Sequence, residues 1–291
     1  MKENEASRTA EFMALFRALE TQLSPEKRLF NDPFAKNFLS PSYLWVLRLA
    51  KIPLLSTALI AYIDHRWPGA RTSGVARTRL IDDEIKGLLD KGIRQVVFLG
   101  AGFDSRAYRL AGLDKVTVFE VDHPATSVPK REKMEKISGS LPVNVHFIEI
   151  NFNEEDLETI MNRAGYNEQD HTLFVWEGVT NYLTVEAVES TLCWCSKAAS
   201  KSWVIFTYID KKVLTSPESF YGTKNVSRML KNVDEKWTFG IDPFELASFL
   251  KKQGLRLETD IGATEYRKLY FQESSLRMRG YEFYRVATAS I

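Results

Sequence analysis

Two glycines and a short series of carboxylates carry the chemistry open to this chain. Gly100 and Gly102 flank Ala101 directly after the apolar run Gln95-Val96-Val97-Phe98-Leu99, and Asp122 lies 20 positions beyond Gly102. A glycine at 100 can adopt a positive φ, and one at 102 presents no Cβ to a ligand approaching the backbone. The run Val116 to Asp122 reads as the next strand and delivers Asp122 at its carboxyl end, within reach of ribose hydroxyls. Glu120, two residues earlier on the same strand face, is the alternative acid, with a buried structural role preferred for it. A strand, a glycine turn and a second strand ending in an acid hold a nucleoside at the edge of a parallel sheet. Which nucleoside stays open at this point. The nicotinamide fingerprint carries a third glycine for close helix–strand packing, whereas position 105 is Ser, within the polar Asp104-Ser105-Arg106.

Three blocks bear on the choice. They are Leu99-Gly100-Ala101-Gly102-Phe103-Asp104-Ser105-Arg106-Ala107-Tyr108-Arg109-Leu110, Glu120-Val121-Asp122-His123-Pro124 and Trp176-Glu177-Gly178-Val179-Thr180-Asn181-Tyr182-Leu183-Thr184. Their order and content resemble the leucine carboxyl methyltransferase family, most of all its bacterial branch of S-adenosylmethionine-dependent O-methyltransferases. The likeness runs from about Arg77 to the C-terminus. It implies a class I methyltransferase fold and S-adenosylmethionine as cofactor, with Gly100, Ala101, Gly102 and Asp104 in the cofactor loop and Asp122 on the ribose diol. It favours Arg77 over Arg79 for the cofactor carboxylate. At helical spacing those two arginines point to opposite sides, so at most one faces a pocket. Glu177, at the end of the fourth strand, suits the cofactor amine and lowers the cost of a nearby sulfonium. Asn151-Phe152 follows the third strand, where the family usually has Asp-Leu beside the adenine; the Asn departs from that pattern.

Methyl transfer from a sulfonium to oxygen is an in-line displacement, in which the enzyme aligns donor and acceptor and excludes water. A carboxylate acceptor is already ionised near neutral pH, and a hydroxyl acceptor needs a base. His123 and Tyr182 are candidates, and neither is assigned. Tyr182 and Tyr221 are the residues expected near the acceptor, which is a small molecule or a protein C-terminal carboxylate. Two other readings stay in view: a nicotinamide-dependent oxidoreductase, and a module that binds the cofactor without catalysis.

Composition narrows the field. A chain of 291 residues with 44% apolar residues can bury a full core. A net charge of +1 argues against a nucleic-acid partner. Residues 1–80, with twelve Lys/Arg against seven Asp/Glu, read as a solvated helical face. The most apolar stretch, Leu44 to Ile63, is interrupted by Arg48, Lys51 and Pro53 and falls short of a bilayer span of about 20 residues, so no membrane partner is expected. Met1-Lys2-Glu3-Asn4-Glu5 lacks a signal-peptide core, and a cytoplasmic location is expected. Side chains of Cys193 and Cys195, at i and i+2 of a helix, diverge by roughly 200° and cannot share a metal or form an unstrained disulfide, so both are expected to be buried structural thiols. The four histidines show no ligand spacing, and no metal is expected.

The elements that position these residues follow from periodicity. Residues 7–63 read as helices separated by prolines and forming a cap, and a further helix over Val75 to Leu89 leads into the first strand. Strands are expected at 95–99, 115–121, 145–150, 172–177, 202–209, 255–261 and 280–288. Helices are expected at 105–111, 124–137, 154–164, 184–199, 242–253 and 263–275. This alternation predicts a doubly wound, seven-stranded, mostly parallel α/β sheet in a single domain, its last run an antiparallel edge strand. The insertion Lys211 to Gly240, with Pro217, Tyr221 and Trp237, leaves the carboxyl edge of the sheet and is expected to form a lid.

Overall fold

The computed structural model describes residues 8–152, 155–223, 226, 236–278 and 280–291. Its centre is a sheet of seven strands: β1 Gln95–Leu99, β2 Thr117–Asp122, β3 Val145–Glu149, β4 Thr172–Trp176, β5 Trp203–Ile209, β6 Arg256–Gly262 and β7 Tyr284–Ser290. They lie in the order β3-β2-β1-β4-β5-β7-β6. The first five are mutually parallel, and β7 runs antiparallel to both β5 and β6. The edge-strand expectation is thus corrected. β7 is antiparallel but lies inside the sheet, its Val286-Ala287-Thr288-Ala289 buried on both faces, and β6 forms the edge. The alternation read as edge character is confined to Tyr284-Arg285-Val286 at its start.

Strand periodicity sends successive side chains to opposite faces. In β1, Val97 and Leu99 join one core with Phe174, Trp176 and Phe206, while Val96 and Phe98 join the other with Leu173, Val175 and Ile205. A third core lies under the N-terminal helices α1 Arg8–Thr21, α2 Pro41–Leu49, α3 Pro53–Arg66 and the start of α4 Ala70–Leu89. Phe12, Leu15, Phe16 and Leu19 recur along α1 at the spacing of one helical face, and all four are buried there. Helix α4 begins five residues before its expected start, because Gly69 at φ +81° turns the chain into it. The short α5 Arg106–Arg109 follows β1, α6 Pro124–Ser138 follows β2, α7 Leu157–Arg163 follows β3, and α8 Val185–Cys195 follows β4.

One further expectation is revised, and another falls partly outside the described residues. Cys195 is buried, but Cys193 faces solvent, as the divergence of the two side chains on α8 requires. The expected lid falls partly on residues 224–225 and 227–235, outside the described residues; its described part includes a helix at Lys212–Thr215 and a 3-10 turn at Pro217–Ser219. Among the described residues no helix is long and apolar enough to cross a membrane, and none of their His, Cys, Asp and Glu side chains form a cluster able to hold a metal.

Candidate functional site

A cavity of about 570 Å³ lies where β1 to β4 end. Ligand cavities of this size enclose a molecule as large as a nucleoside cofactor. Eight of the nine expected cofactor residues are placed by strand ends: Gly100, Ala101, Gly102 and Asp104 after β1, Asp122 closing β2, Asn151 and Phe152 after β3, and Glu177 after β4. The ninth, Arg77, reaches the same wall from α4. All nine line the cavity.

The turn after β1 depends on its glycines. Gly100 has φ +66°, and a Cβ there would sit 2.4 Å from a Val179 methyl, so a side chain is excluded on both counts. Gly102 has φ +45°, and its N–H donates to Asp122 Oδ2. The His123 N–H donates to Asp122 Oδ1 at 2.6 Å. Each carboxylate oxygen therefore keeps acceptor capacity for a ligand. Burial pushes the Asp122 pKa above its ordinary value, against the pull of those two N–H groups.

Glu120, two residues earlier, is buried against Lys130, with Nζ 2.9 Å from Oε1, and Tyr108 donates to its other oxygen at 3.3 Å. It does not line the cavity, in keeping with the preferred structural reading. Arg79 points away, paired with Asp83 at 2.8 Å, so only Arg77 of the two faces the cavity.

Glu177 is gripped on both sides. Its Oε1 accepts from Arg77 Nε at 2.8 Å and its Oε2 from Arg106 Nη1 at 2.7 Å. Burial would raise its pKa, but Arg106 and Arg77 outweigh that and hold it below the ordinary value. Arg106 also binds Asp104 Oδ2 at 2.6 Å and Asp82 Oδ1 at 2.7 Å. Asp104 is kept at about 2, its burial outweighed by Arg106, Lys130 and Arg17. Farther along, Arg109 bridges Asp82 and Asp32, and Arg17 of α1 joins Asp32 at 2.9 Å. Four arginines (17, 77, 106 and 109) and four carboxylates (32, 82, 104 and 177) thus balance. Asp122 stands outside that balance, beside the buried Lys130–Glu120 pair.

Part of the cavity wall is apolar and aromatic, formed by Phe12, Met13 and Phe16 of α1 with Leu183, Trp237, Tyr281 and Tyr284. This wall adjoins the cofactor residues, since the Tyr284 ring lies 4.5 Å from the Arg77 guanidinium and the Met13 sulfur 3.9 Å from Arg77 Nη2. Tyr182, expected near an acceptor, lines this cavity. Tyr221 does not: it is 49% exposed, because the turn at Gly222 (φ +86°) buries Thr223 and Val226 and leaves Tyr221 outside. Trp237 Nε1 is buried without a hydrogen-bond partner among the described residues, and the exposed Lys236 lies beside it on the wall. His123 also lines the cavity, with Nδ1 accepting from the Ala125 N–H at 3.2 Å as the cap of α6.

Sequence reasoning missed Arg106, Arg17, Phe16, Tyr281 and Tyr284, and named Trp237 only as part of the lid. Arg106 stood in the quoted glycine block, two residues after Asp104, and its type and place were the available signal. The α1 residues were read only as a cap. Helical spacing identifies which of them are buried but not the cavity they close.

A sequence model of leucine carboxyl methyltransferases matches residues 10–196. The match begins in α1, well before Arg77, and stops at the end of α8 rather than reaching the C-terminus. A Streptomyces coelicolor protein named as a candidate S-adenosyl-L-methionine-dependent methyltransferase is 34% identical over 189 residues, 63% of this chain and 62% of its own length. The chain thus spans less than two thirds of that relative. A similarly named protein from Mycobacterium sp. strain KMS is 27% identical over 271 residues, 86% of this chain and 84% of its own. The crystal structure of a candidate methyltransferase from Thermobifida fusca shares the fold, with a TM-score of 0.59 at 14% identity over 99% of this chain and 96% of that one. With its matched blocks assembled around one cavity, the chain belongs to the leucine carboxyl methyltransferase family.

Proposed function

We propose that this protein is an S-adenosylmethionine-dependent O-methyltransferase whose acceptor is a carboxylate, on a small molecule or a protein C-terminus. The observation that carries the reading is the Arg77–Glu177–Arg106 chain beside Asp122. It sets opposite charges side by side on the cavity wall, complementary to an amino-acid zwitterion, with β1 between it and an acid with spare acceptor capacity for a diol. The donor set therefore fits S-adenosylmethionine: Arg77 for its carboxylate, Glu177 for its amine, Asp122 for its ribose, and Asn151 with Phe152 for its adenine. When bound, the cofactor supplies an electrophilic methyl group on sulfur.

The chain's own residues contribute orientation and dryness. Aromatic side chains from α1 and from the segments around Trp237 and Tyr284 line part of the wall and exclude water from the line of transfer. His123, Tyr281 and Tyr284 are poorly placed to act as bases. His123 uses Nδ1 as an acceptor, so its neutral ring carries the proton on Nε2 and offers no lone pair there. Burial pushes the Tyr281 and Tyr284 phenols upward, away from ionisation. An acceptor that is already an anion needs no such base. The Trp237 N–H and Lys236 suit a carboxylate on the aromatic part of the wall.

Two measurements test this. Mass spectrometry of the small molecules carried through purification distinguishes S-adenosylmethionine or its demethylated product from a nicotinamide dinucleotide, and recovery of the dinucleotide overturns the reading. Incubating cell extract with methyl-labelled cofactor then reveals whether label enters metabolite or protein. Label released by mild alkali identifies a methyl ester, whereas alkali-stable label points to a hydroxyl acceptor.

A further inference from the structure

Helices α2 and α3 are apolar without being buried. Of the 14 residues of α3, Pro-Leu-Leu-Ser-Thr-Ala-Leu-Ile-Ala-Tyr-Ile-Asp-His-Arg, Ile63 is the buried one. Leu54 is 84% exposed, Trp45 62% and Tyr62 60%, and Leu49, Ile52 and Leu55 are exposed beside them. These are six of the fifteen exposed large apolar side chains among the described residues, gathered within 18 positions. Scattered exposed apolar residues are ordinary, but a contiguous cluster marks a contact surface. A helix apolar on most sides is ordinarily enclosed.

Charge indicates what covers it. No acidic residue occurs between Asp32 and Asp64, whereas Lys36, Arg48 and Lys51 do, all exposed. Asp64 is neutralised by a two-point pair with Arg71, at 3.0 and 2.7 Å. The surface is thus apolar and purely cationic, which disfavours a second copy of the same face. Fourteen helical residues reach about 21 Å, short of a bilayer core of about 30 Å. That length excludes spanning and leaves open a helix lying flat in the headgroup zone. Trp45 and Tyr62, each apolar with a polar tip, are residue types that settle at that depth. The surface also adjoins the cavity. Phe12, on the cavity wall, packs against Tyr43 of α2 at 6.4 Å and against Trp67, just after α3, at 4.8 Å.

Against the expectation of no membrane partner, which concerned spanning alone, we propose that α2 and α3 form a docking surface for an anionic lipid bilayer, inserting Leu54, Ile52 and Trp45 among the headgroups while Arg48 and Lys51 meet the lipid charge. The test is flotation of the full chain with extruded vesicles of phosphatidylcholine alone or mixed with about one third phosphatidylglycerol. The protein should float with the mixed vesicles and stay behind with the neutral ones. Arg48→Gln with Lys51→Gln should weaken that binding about thirtyfold, the effect of removing two surface charges. Ile52→Glu with Leu54→Glu should abolish it while lowering the melting temperature by no more than a few degrees, since Leu54 is 84% and Ile52 51% exposed. Equal recovery on both vesicle types, or no loss in the glutamate variant, overturns the proposal. So does the absence of flotation together with a dimer in light scattering that the glutamate variant dissociates, which would make the face a self-association surface. Vesicle binding is read without methyl transfer, so its failure and that of the methyltransferase reading remain distinguishable.

Discussion

The two parts of the cavity wall are built on opposite principles. At the cofactor end nearly every polar group is already paired inside the protein: Arg106 alone meets three carboxylates, and Glu177 sits between two guanidiniums. The aromatic part of the wall is Phe12, Phe16, Tyr281 and Trp237, with one buried indole N–H left without a partner among the described residues. The first part fixes geometry in advance, and paired charges there are costly to disturb because burial strengthens them. The second presents shape and apolar surface, with few fixed demands. A family can thus keep one ligand at the first part and vary the other at the second.

The sharpest way to break this contrast is Arg106→Ala. It would strand Asp82, Asp104 and Glu177 without the guanidinium that joins them, and Arg106 itself is only 2% exposed. Breaking a buried pair by removing one partner costs about 3–5 kcal/mol. Urea denaturation should show a loss of that order. A loss under about 1 kcal/mol would mean water reaches the cluster and the end is not preorganised by pairing. Arg106→Lys should recover part of the loss, since it restores the charge but not the fork that spans three carboxylates.

Glu120 sharpens the comparison through pH. Burial raises its pKa from 4.5 to about 7, against the pull of Lys130. The folded state therefore holds this proton more tightly than the unfolded chain does. Its contribution is fully present below about pH 4.5 and lost as pH rises through 7, by on the order of 3 kcal/mol. Glu120→Gln should flatten that slope when denaturation is followed from pH 5 to 8, without altering cofactor affinity to the same degree. An unchanged slope in the variant would assign the titration elsewhere.

Asp122, on the same strand, should behave differently. Asp122→Ala removes the acceptor for two backbone N–H groups, and if the carboxylate also holds the ribose, calorimetry should show cofactor binding weakened by about 1.5–3 kcal/mol. If Glu120→Gln has the larger effect on binding, the two acids have been assigned the wrong way round.

The same contrast explains what could be read in the sequence. The cofactor end comes from short loops after consecutive strands, so its residues sit in compact blocks beside the apolar runs that announce each strand. Gly100 to Asp104, Asp122, Asn151 and Glu177 were all legible for that reason. Arg77 needed a further step, because it arrives from a helix. The aromatic part of the wall is assembled from α1, α4, the turn after β4, the insertion and the approach to β7. No local pattern links Phe16 to Tyr284, since only the tertiary fold makes them neighbours. Tyr221 shows the converse: an aromatic in the right segment, turned outward by one glycine. The place of β7 was illegible for a similar reason. Alternation at its start spoke for an edge, but its neighbours are chosen by the whole sheet.

On the aromatic part of the wall the test is Trp237→Phe, which keeps an aromatic ring and removes the buried N–H. If that N–H holds the acceptor, KM for the acceptor should rise about five- to tenfold, the worth of one hydrogen bond, with kcat nearly unchanged. A fall in kcat at constant KM would place Trp237 in the alignment of donor and acceptor instead.

The smallest expected effect lies at Asn151, where this chain departs from the Asp-Leu pattern. Its backbone N–H is tied to Glu155 Oε2 at 2.8 Å, and the residue lines the cavity half-buried beside Phe152. The amide oxygen can accept from an adenine amino group, without the charge that strengthens such a bond. Asn151→Ala should therefore cost about 0.5–1.5 kcal/mol of cofactor affinity, the net value of one neutral hydrogen bond. Asn151→Asp should bind as tightly or more tightly, provided the carboxylate stays ionised beside Glu155; raising the pH from 6 to 8 should then favour it further. The pair of variants separates hydrogen bonding from packing, because only Ala also removes contact with the ring. Should neither change affinity in calorimetry, the adenine is held by apolar contact with Phe152 and Ile150, and the cofactor end relies on its charged half alone.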